Sequence, residues 1–262
     1  MRIIVSADDF GRSSDRNRAI DFAMRAGIIK STALLMGSDY TEEAVELAFR
    51  GGYIDKVHCH LNLHNGISLG NHFVPSSNDF KKNPHLSLEG EFRDVNYNNP
   101  LYFKYFNDLY SELECQLVGF KSITRNSANN NHVDFHLYKN QTLLASYAYN
   151  KLIKSNQIKT ARYFGEQQMI NLKGKIKVLL SMIGMTPFRI QHIRSCNIDW
   201  FINMFDTINC DLIELYCHPD YCQGELIDNT ISVFGHEKMP LEVHLGMIQK
   251  RDNVSLISWA EL

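Results

Sequence analysis

No stretch of this chain is long and apolar enough to read as a membrane-crossing helix, which takes roughly 18 to 20 apolar residues in a row. A basic excess is also missing: 27 Lys and Arg face 29 Asp and Glu, a formal net charge of −2. That balance excludes the electrostatic footprint of a protein built to grip nucleic acid or an anionic membrane. The six cysteines, Cys59, Cys115, Cys196, Cys210, Cys217 and Cys222, form no C-x-x-C pair and no zinc-finger spacing. They read as small buried hydrophobes of a reduced compartment. No secretory leader is recognisable, because the first apolar run is short and meets two acids at once. Internal repeats and low-complexity tracts are lacking too. A cytoplasmic globular protein without membrane insertion and without a nucleic-acid partner is the expectation, and a homodimer is left open.

What remains is 262 residues, 44% of them hydrophobic. That length can bury a sizeable core, and α/β barrels often reach it as one domain. The opening run Ile3-Ile4-Val5-Ser6-Ala7 reads as a buried strand that ends at Asp8-Asp9-Phe10-Gly11. Ser13 or Ser14 can then cap a helix whose apolar stripe is Ile20, Ala23 and Met24, with Gly27 at its end. A strand at 31–36 follows. Next comes a helix at 41–50 that carries Glu42 and Glu43 in its first turn, where the helix dipole favours acids. In it Ala44, Leu47 and Ala48 face inward, and Gly51-Gly52 closes it. A third strand spans 57–63. This βαβαβ rhythm argues for a parallel sheet.

Residues 64–99 are rich in Asn, Gly, Ser, Pro and His, and a stretch of this kind is expected to be a lid insertion, with His64, His72 and His85 solvated. After Pro100 a helix should present Phe103, Phe106, Tyr110, Leu113 and Leu117 on one core-facing side. Strands are expected at 131–137, 159–163, 212–217 and 254–259. Helices are expected at 142–155, at 178–183, and after a cap at Ser195 that leads into Ile198, Phe201, Ile202 and Phe205. The sum is one domain over 1–262, an α/β fold of distorted (β/α) barrel type resembling a TIM barrel, with lid insertions.

Three strands share an unusual pattern. His58, His60 and Asn62 alternate with Val57, Cys59, Leu61 and Leu63; His132, Asp134 and His136 alternate with Val133, Phe135 and Leu137; Glu214, Tyr216 and His218 alternate with Ile213, Leu215 and Cys217. Side chains along a strand point alternately to its two faces, so each strand has one polar face. In a parallel barrel the C-terminal strand ends meet at one rim, where barrel active sites sit. Asp9, His60, His136 and His218 would converge there. Two imidazoles and a carboxylate make an open divalent-metal site, with Asp8 beside it as proton acceptor and His218 as proton donor. Arg162, at the end of its strand, could orient Asp8 or hold a substrate oxygen. Glu214 and Tyr216 are candidates to fix a histidine tautomer. An Asp-Asp pair also caps helices, and a lone strand histidine is more often a hydrogen-bonded core residue than a ligand. The spacing alone leaves both readings open.

The blocks Ile4-Val5-Ser6-Ala7-Asp8-Asp9-Phe10-Gly11-Arg12-Ser13, Asn17-Arg18-Ala19-Ile20, His60-Leu61-Asn62-Leu63, His132-Val133-Asp134-Phe135-His136 and Glu214-Leu215-Tyr216-Cys217-His218-Pro219 together resemble the YdjC-like carbohydrate deacetylases, which include chitooligosaccharide deacetylases. The resemblance runs in order along most of the chain. It implies a distorted (β/α) barrel and metal-dependent removal of acetyl groups from N-acetylated sugars, free as oligosaccharides or joined to a carrier. The implied metal ligands are Asp9, His60 and His136, for one divalent ion, magnesium or zinc. The implied base is Asp8, and the family's late histidine falls on His218. One departure stands out: many members carry a histidine-rich run after the position of His136, where this chain has Leu137-Tyr138-Lys139-Asn140. That change bears on the substrate more than on the metal. Rival expectations are a catalytically altered sugar-binding protein and a metal-dependent phosphoesterase or glycosidase on the same barrel.

Overall fold

The computed structural model describes residues 1–64, 69, 100–137, 142–164, 191–204, 211–230, 240–251 and 253–261. The expected helix at 178–183, His72, His85, Phe205, Tyr138-Lys139-Asn140 and nearly all of the expected lid lie outside them.

Seven strands follow one another around a ring: β1 (Arg2–Phe10), β2 (Ser31–Leu35), β3 (Val57–Leu61), β4 (His132–Phe135), β5 (Thr160–Phe164), β6 (Gln191–Asn197) and β7 (Leu212–Cys217). Each pairs in parallel with the next. β7 then pairs in parallel with β1, from Arg2 opposite Leu212 to Ala7 opposite Cys217, so the sheet closes on itself. An antiparallel hairpin, β8 (Pro219–Cys222) and β9 (Glu225–Asp228), follows β7. Its turn is Gln223-Gly224, both with positive φ, as a two-residue hairpin turn requires. The last strand, β10 (Ser255–Ile257), pairs with Arg2 to Ile4 of β1, below the point where β2 takes over at Ser6. It fills the lower part of the seam between β1 and β2.

Helices connect the strands on the outside. They are α1 (Ser14–Arg25), α2 (Thr41–Gly51), α3 (Phe106–Ile123), α4 (Leu143–Ser155), α5 (Ile198–Met204) and α6 (Leu241–Gln249). Ser13 caps α1 by accepting the Arg16 N–H. Gly52 ends α2 in the left-handed region, with its N–H returned to the last turn. Ala44 and Ala48 of α2 are fully buried, while Leu47 is half-buried against the core.

Two apolar clusters result from the alternation along the strands. Ile3, Val5 and Ala7 of β1 face outward and join the large cluster under the helices. Ile4 faces inward and meets Leu212, Trp259 and Ile257, which plug the bottom of the barrel. Burying both faces of a parallel strand in this way explains why β1 to β3 read as nearly unbroken buried runs.

Two expectations are corrected. The chain after Pro100 first makes a 3₁₀ turn, Pro100–Tyr105, and α3 starts only at Phe106. The buried face of α3 is Leu109, Leu113, Leu117 and Phe120, with Glu112 and Gln116. Phe103, in the 3₁₀ turn, is exposed, while Phe106 and Tyr110, at the start of α3, are half-buried against the large apolar cluster. Ser195 does not cap a helix; it sits inside β6, opposite Glu214 of β7. β6 is the one barrel strand that the sequence reading missed.

Gly11 closes the Asp-Asp-Phe-Gly block at φ 94°, and a Cβ there would sit 3.2 Å from Leu35 O and 3.3 Å from the Thr41 Cα. Both neighbours are backbone and cannot move aside cheaply. Gly11→Ala is expected to lose about 1–2 kcal/mol of stability. A urea midpoint equal to that of the parent chain would contradict this account.

Candidate active site

Above the apolar plug the barrel interior is polar. Its central residue is Arg162 of β5, 2% exposed. Its guanidinium grips two carboxylates in bidentate fashion. Nη1 and Nη2 donate to Asp8 at 2.5 and 2.9 Å, and Nε and Nη2 donate to Glu214 at 2.7 and 2.6 Å. Nη2 also lies 3.0 Å from Asp134 Oδ2. The expectation that Arg162 orients Asp8 matches this geometry. Glu214 serves Arg162 rather than a histidine, so its expected part in fixing a tautomer is not what the structure has. The Tyr216 ring lies under the Arg162 guanidinium, 5.5 Å from its carbon, and edge-on to His218.

Three carboxylates around one guanidinium leave surplus negative charge in a water-poor space. Burial raises the Glu214 pKa against the pull of Arg162. Burial opposes ionisation of Asp134 as well, but Arg162, His60 and His58 together hold it well below its usual range. Burial likewise works against the Arg162 cation, yet the acids keep it firmly protonated.

Asp134 joins this layer to the rim. Its Oδ1 lies 2.6 Å from His60 Nδ1, and its Oδ2 lies 3.3 Å from His58 Nε2. A carboxylate on Nδ1 fixes the His60 tautomer and turns Nε2 upward. Burial disfavours the His60 cation, but Asp134, Asp8 and Asp9 raise its pKa from 6.5 to about 9.

At the rim the two neighbouring acids face a geometric problem. In a regular strand Asp8 and Asp9 would point to opposite faces. The chain resolves this with an irregularity: Asp9 sits at φ 68°, and the β1–β2 register shifts between Ala7 and Phe10. Bulges of this kind re-aim side chains, and Asp tolerates the left-handed region better than most residues. Both carboxylates therefore serve the same end of the barrel.

Asp9 Oδ1 lies 2.9 Å from His136 Nδ1 and 3.7 Å from His60 Nε2, and the two nitrogens are 3.3 Å apart. Oδ1 is buried without a well-aligned hydrogen-bond donor. Three ligand atoms around an ion with bonds near 2.1 Å stand roughly 3.0–3.4 Å apart. The three atoms thus fit one divalent cation. The other oxygen, Oδ2, is held by Arg12 at 2.7 Å. Burial raises the Asp9 pKa, but His136, His218 and His60 outweigh it and hold the carboxyl well below its ordinary value. For His136, burial dominates and lowers the pKa.

His218 follows β7 directly. Its neighbour Cys217 pairs with Ala7 of β1, so His218 stands level with Asp8 and Asp9 at the same end of the barrel. All six expected site residues, Asp8, Asp9, His60, His136, Arg162 and His218, therefore gather at one end.

Sequence reasoning missed several supporting residues. Arg12 gave no signal beyond standing three residues after Asp9. Asn17 accepts the Gly11 N–H and donates to Tyr40 O and Glu43, tying α1 and α2 to the Asp-Asp turn. His64 is not simply solvated: it is half-buried, with its ring tilted 6.4 Å from that of His136. A histidine at the end of a strand that already carries two others was the available signal. Below the rim, His132 stacks on Trp259 with ring centroids 3.6 Å apart.

The sequence pattern of the YdjC-like protein family matches residues 2–245. A carbohydrate deacetylase of Clostridium beijerinckii is 25% identical over 268 residues, covering all of both chains. Another from Vibrio campbellii is 30% identical over 260 residues, covering 96% of this chain and 91% of that one. Among solved structures, one from Enterococcus faecalis V583, provisionally described as a cellobiose-phosphate cleavage protein, aligns with a TM-score of 0.59 at 21% identity. It covers 85% of this chain and 82% of its own. That likeness bears on the fold.

Two measurements probe the buried charges. Arg162→Met strands three acids and is expected to lose about 3–5 kcal/mol; a loss under about 1 kcal/mol would show that the guanidinium does not hold the layer. The folded pKa of His60 lies above 6.5, so its stabilising protonation is complete below pH 6.5 and is lost as pH rises to about 9. Chelator-treated protein should therefore lose stability to urea across that window, and a flat or rising profile would refute the assignment.

Proposed function

Because the chain belongs to the YdjC-like family, which matches it from residue 2 to residue 245, we propose that it is a metal-dependent hydrolase that removes acetyl groups from N-acetylated sugars. The observation that carries the reading is the convergence of Asp9 Oδ1, His60 Nε2 and His136 Nδ1 within 3.7 Å of one another. Asp8 is held beside them, and His218 faces the same end. The relatives named carbohydrate deacetylase support the sugar and the acetyl group.

Asp9, His60 and His136 are the residues that would hold one divalent ion. Two imidazoles and a carboxylate suit zinc better than magnesium, which favours oxygen donors. When bound, the ion polarises a carbonyl and makes a water easier to deprotonate. Asp134 keeps His60 in the ligating tautomer, and Arg12 steadies the far oxygen of Asp9.

Asp8 accepts the proton of the attacking water. Both of its oxygens receive hydrogen bonds from Arg162, but a carboxylate offers about four lone-pair directions, so acceptor capacity remains. Arg162 keeps the carboxylate in place and stays protonated throughout. His218 gives a proton to the nitrogen of the departing sugar amine, so that a neutral amine leaves rather than an amide anion. A single three-ligand centre suits this hydrolysis better than phosphoester cleavage at a two-metal site, which needs more ligands.

The test is acetate release from N-acetylated sugars, with and without chelator. Release should be lost with chelator and return with added zinc. Asp8→Asn is expected to lower turnover by about 10²-fold or more while metal content by elemental analysis stays at one ion. His60→Ala should lose the ion itself. Undiminished release after thorough metal removal would overturn the proposal, as would phosphate release in place of acetate from a phosphorylated amino sugar.

A further inference from the structure

The histidine expected to donate the proton stands in a hydrogen-bond arrangement that the reaction as described leaves unused. His218 Nδ1 lies 2.9 Å from Thr230 Oγ1. That hydroxyl lies 2.6 Å from Asp228 Oδ1. The same Asp228 oxygen accepts the backbone N–H of His218 at 2.8 Å and that of Thr230 at 3.0 Å. Asp228 is 7% exposed and ends β9. Three donors thus converge on one carboxylate oxygen.

A hydroxyl has one proton to give. The carboxylate takes it, because a short bond to an anion is stronger than one to a neutral imidazole nitrogen. Thr230 Oγ1 is then only an acceptor toward the ring, so His218 Nδ1 must carry a hydrogen. Among the described residues nothing hydrogen-bonds His218 Nε2. We infer that Asp228 and Thr230 are positioning residues that lock His218 in the Nδ1–H tautomer, leaving Nε2 as the nitrogen that exchanges a proton with substrate.

This rests on the deacetylase reading and deepens it. Before the step His218 is an imidazolium with hydrogens on both nitrogens. The C–N bond of the amide breaks, its electron pair stays on nitrogen, and the Nε2 proton moves to that nitrogen. The ring left behind is neutral with its hydrogen on Nδ1, the form that Thr230 already holds. No tautomer change and no ring flip is then needed before the next turnover. Free imidazole side chains favour the opposite, Nε2–H tautomer, so the preference has to come from the protein.

The hairpin makes the lock rigid. Pro219 O, next to His218, accepts from Arg16 of α1 at 3.1 Å, and Arg16 also pairs with Asp220 at 3.2 Å. Asn229 N–H donates to His218 O at 2.9 Å. The segment that carries Asp228 and Thr230 is therefore tied to His218 by backbone as well as side chain.

The test uses the full, zinc-loaded chain with ¹⁵N-labelled histidine, with His218 assigned by the signals lost in His218→Gln. Long-range ¹H–¹⁵N correlation at a pH where the ring is neutral should give the Nδ1–H pattern. Thr230→Val should convert it to the Nε2–H pattern and lower kcat about tenfold with KM unchanged. Thr230→Ser should restore both. An Nε2–H pattern in the parent chain overturns the inference, and so does an unchanged tautomer or an unchanged kcat in Thr230→Val. The spectroscopic result stands even if no acetylated sugar is a substrate; absence of acetate release by the parent chain would refute the deacetylase reading alone.

Discussion

Charge in the barrel interior is organised around a single cation. Arg162 lies where a (β/α) barrel ordinarily packs branched apolar side chains in layers. Here one planar guanidinium meets Asp8 and Glu214 along two edges and lies against Asp134. Each of those acids comes from a different strand, so the ion network also ties β1, β4, β5 and β7 together at one height. The arrangement is specific to Arg: an ammonium group has no planar fork to present to two carboxylates at once. Through Asp134 the same cluster sets His60, and through Asp8 it sets the proposed base. The geometry of the rim is thus inherited from a charge layer one step below it.

Much of this could be read from the chain. The polar faces of β3, β4 and β7 were visible as alternation, because period-two patterning survives wherever a strand has one polar side. The helix ends were legible at Ser13 and Gly52, where local chemistry decides the outcome. β6 was not. Its residues Gln191 to Asn197 carry no clear alternation, and Ser195 looks like the cap of the expected helix, which begins as α5 only at Ile198. Phe103 was misplaced on the face of α3 because it lies in the 3₁₀ turn ahead of the helix, and sequence spacing does not record where that turn gives way to α-helix.

The site was legible by residue type but not by partnership. Arg162 and Glu214 both looked like supporting residues, yet their partners lie on strands far apart in sequence, and only closure of the ring brings them together. Asp9 was expected as a metal ligand and Asp8 as the base beside it, without the backbone that lets neighbours share one face. What lets Asp9 act beside Asp8 is a left-handed residue and a register slip, which no composition rule announces. The membership of the chain in its family agrees with the order of the matching blocks. Leu137 is exposed and left-handed at φ 53° immediately after His136. The backbone therefore turns out of the strand directly after this rim histidine.

The cluster of Ile4, Leu212, Ile257 and Trp259 has a consequence for polarity. An apolar foot gives an ion little to bind, whereas the carboxylates and imidazoles of β1, β3, β4 and β7 gather above it. The interior therefore has a direction: its affinity for charge rises from the foot, where it is lowest, to the rim.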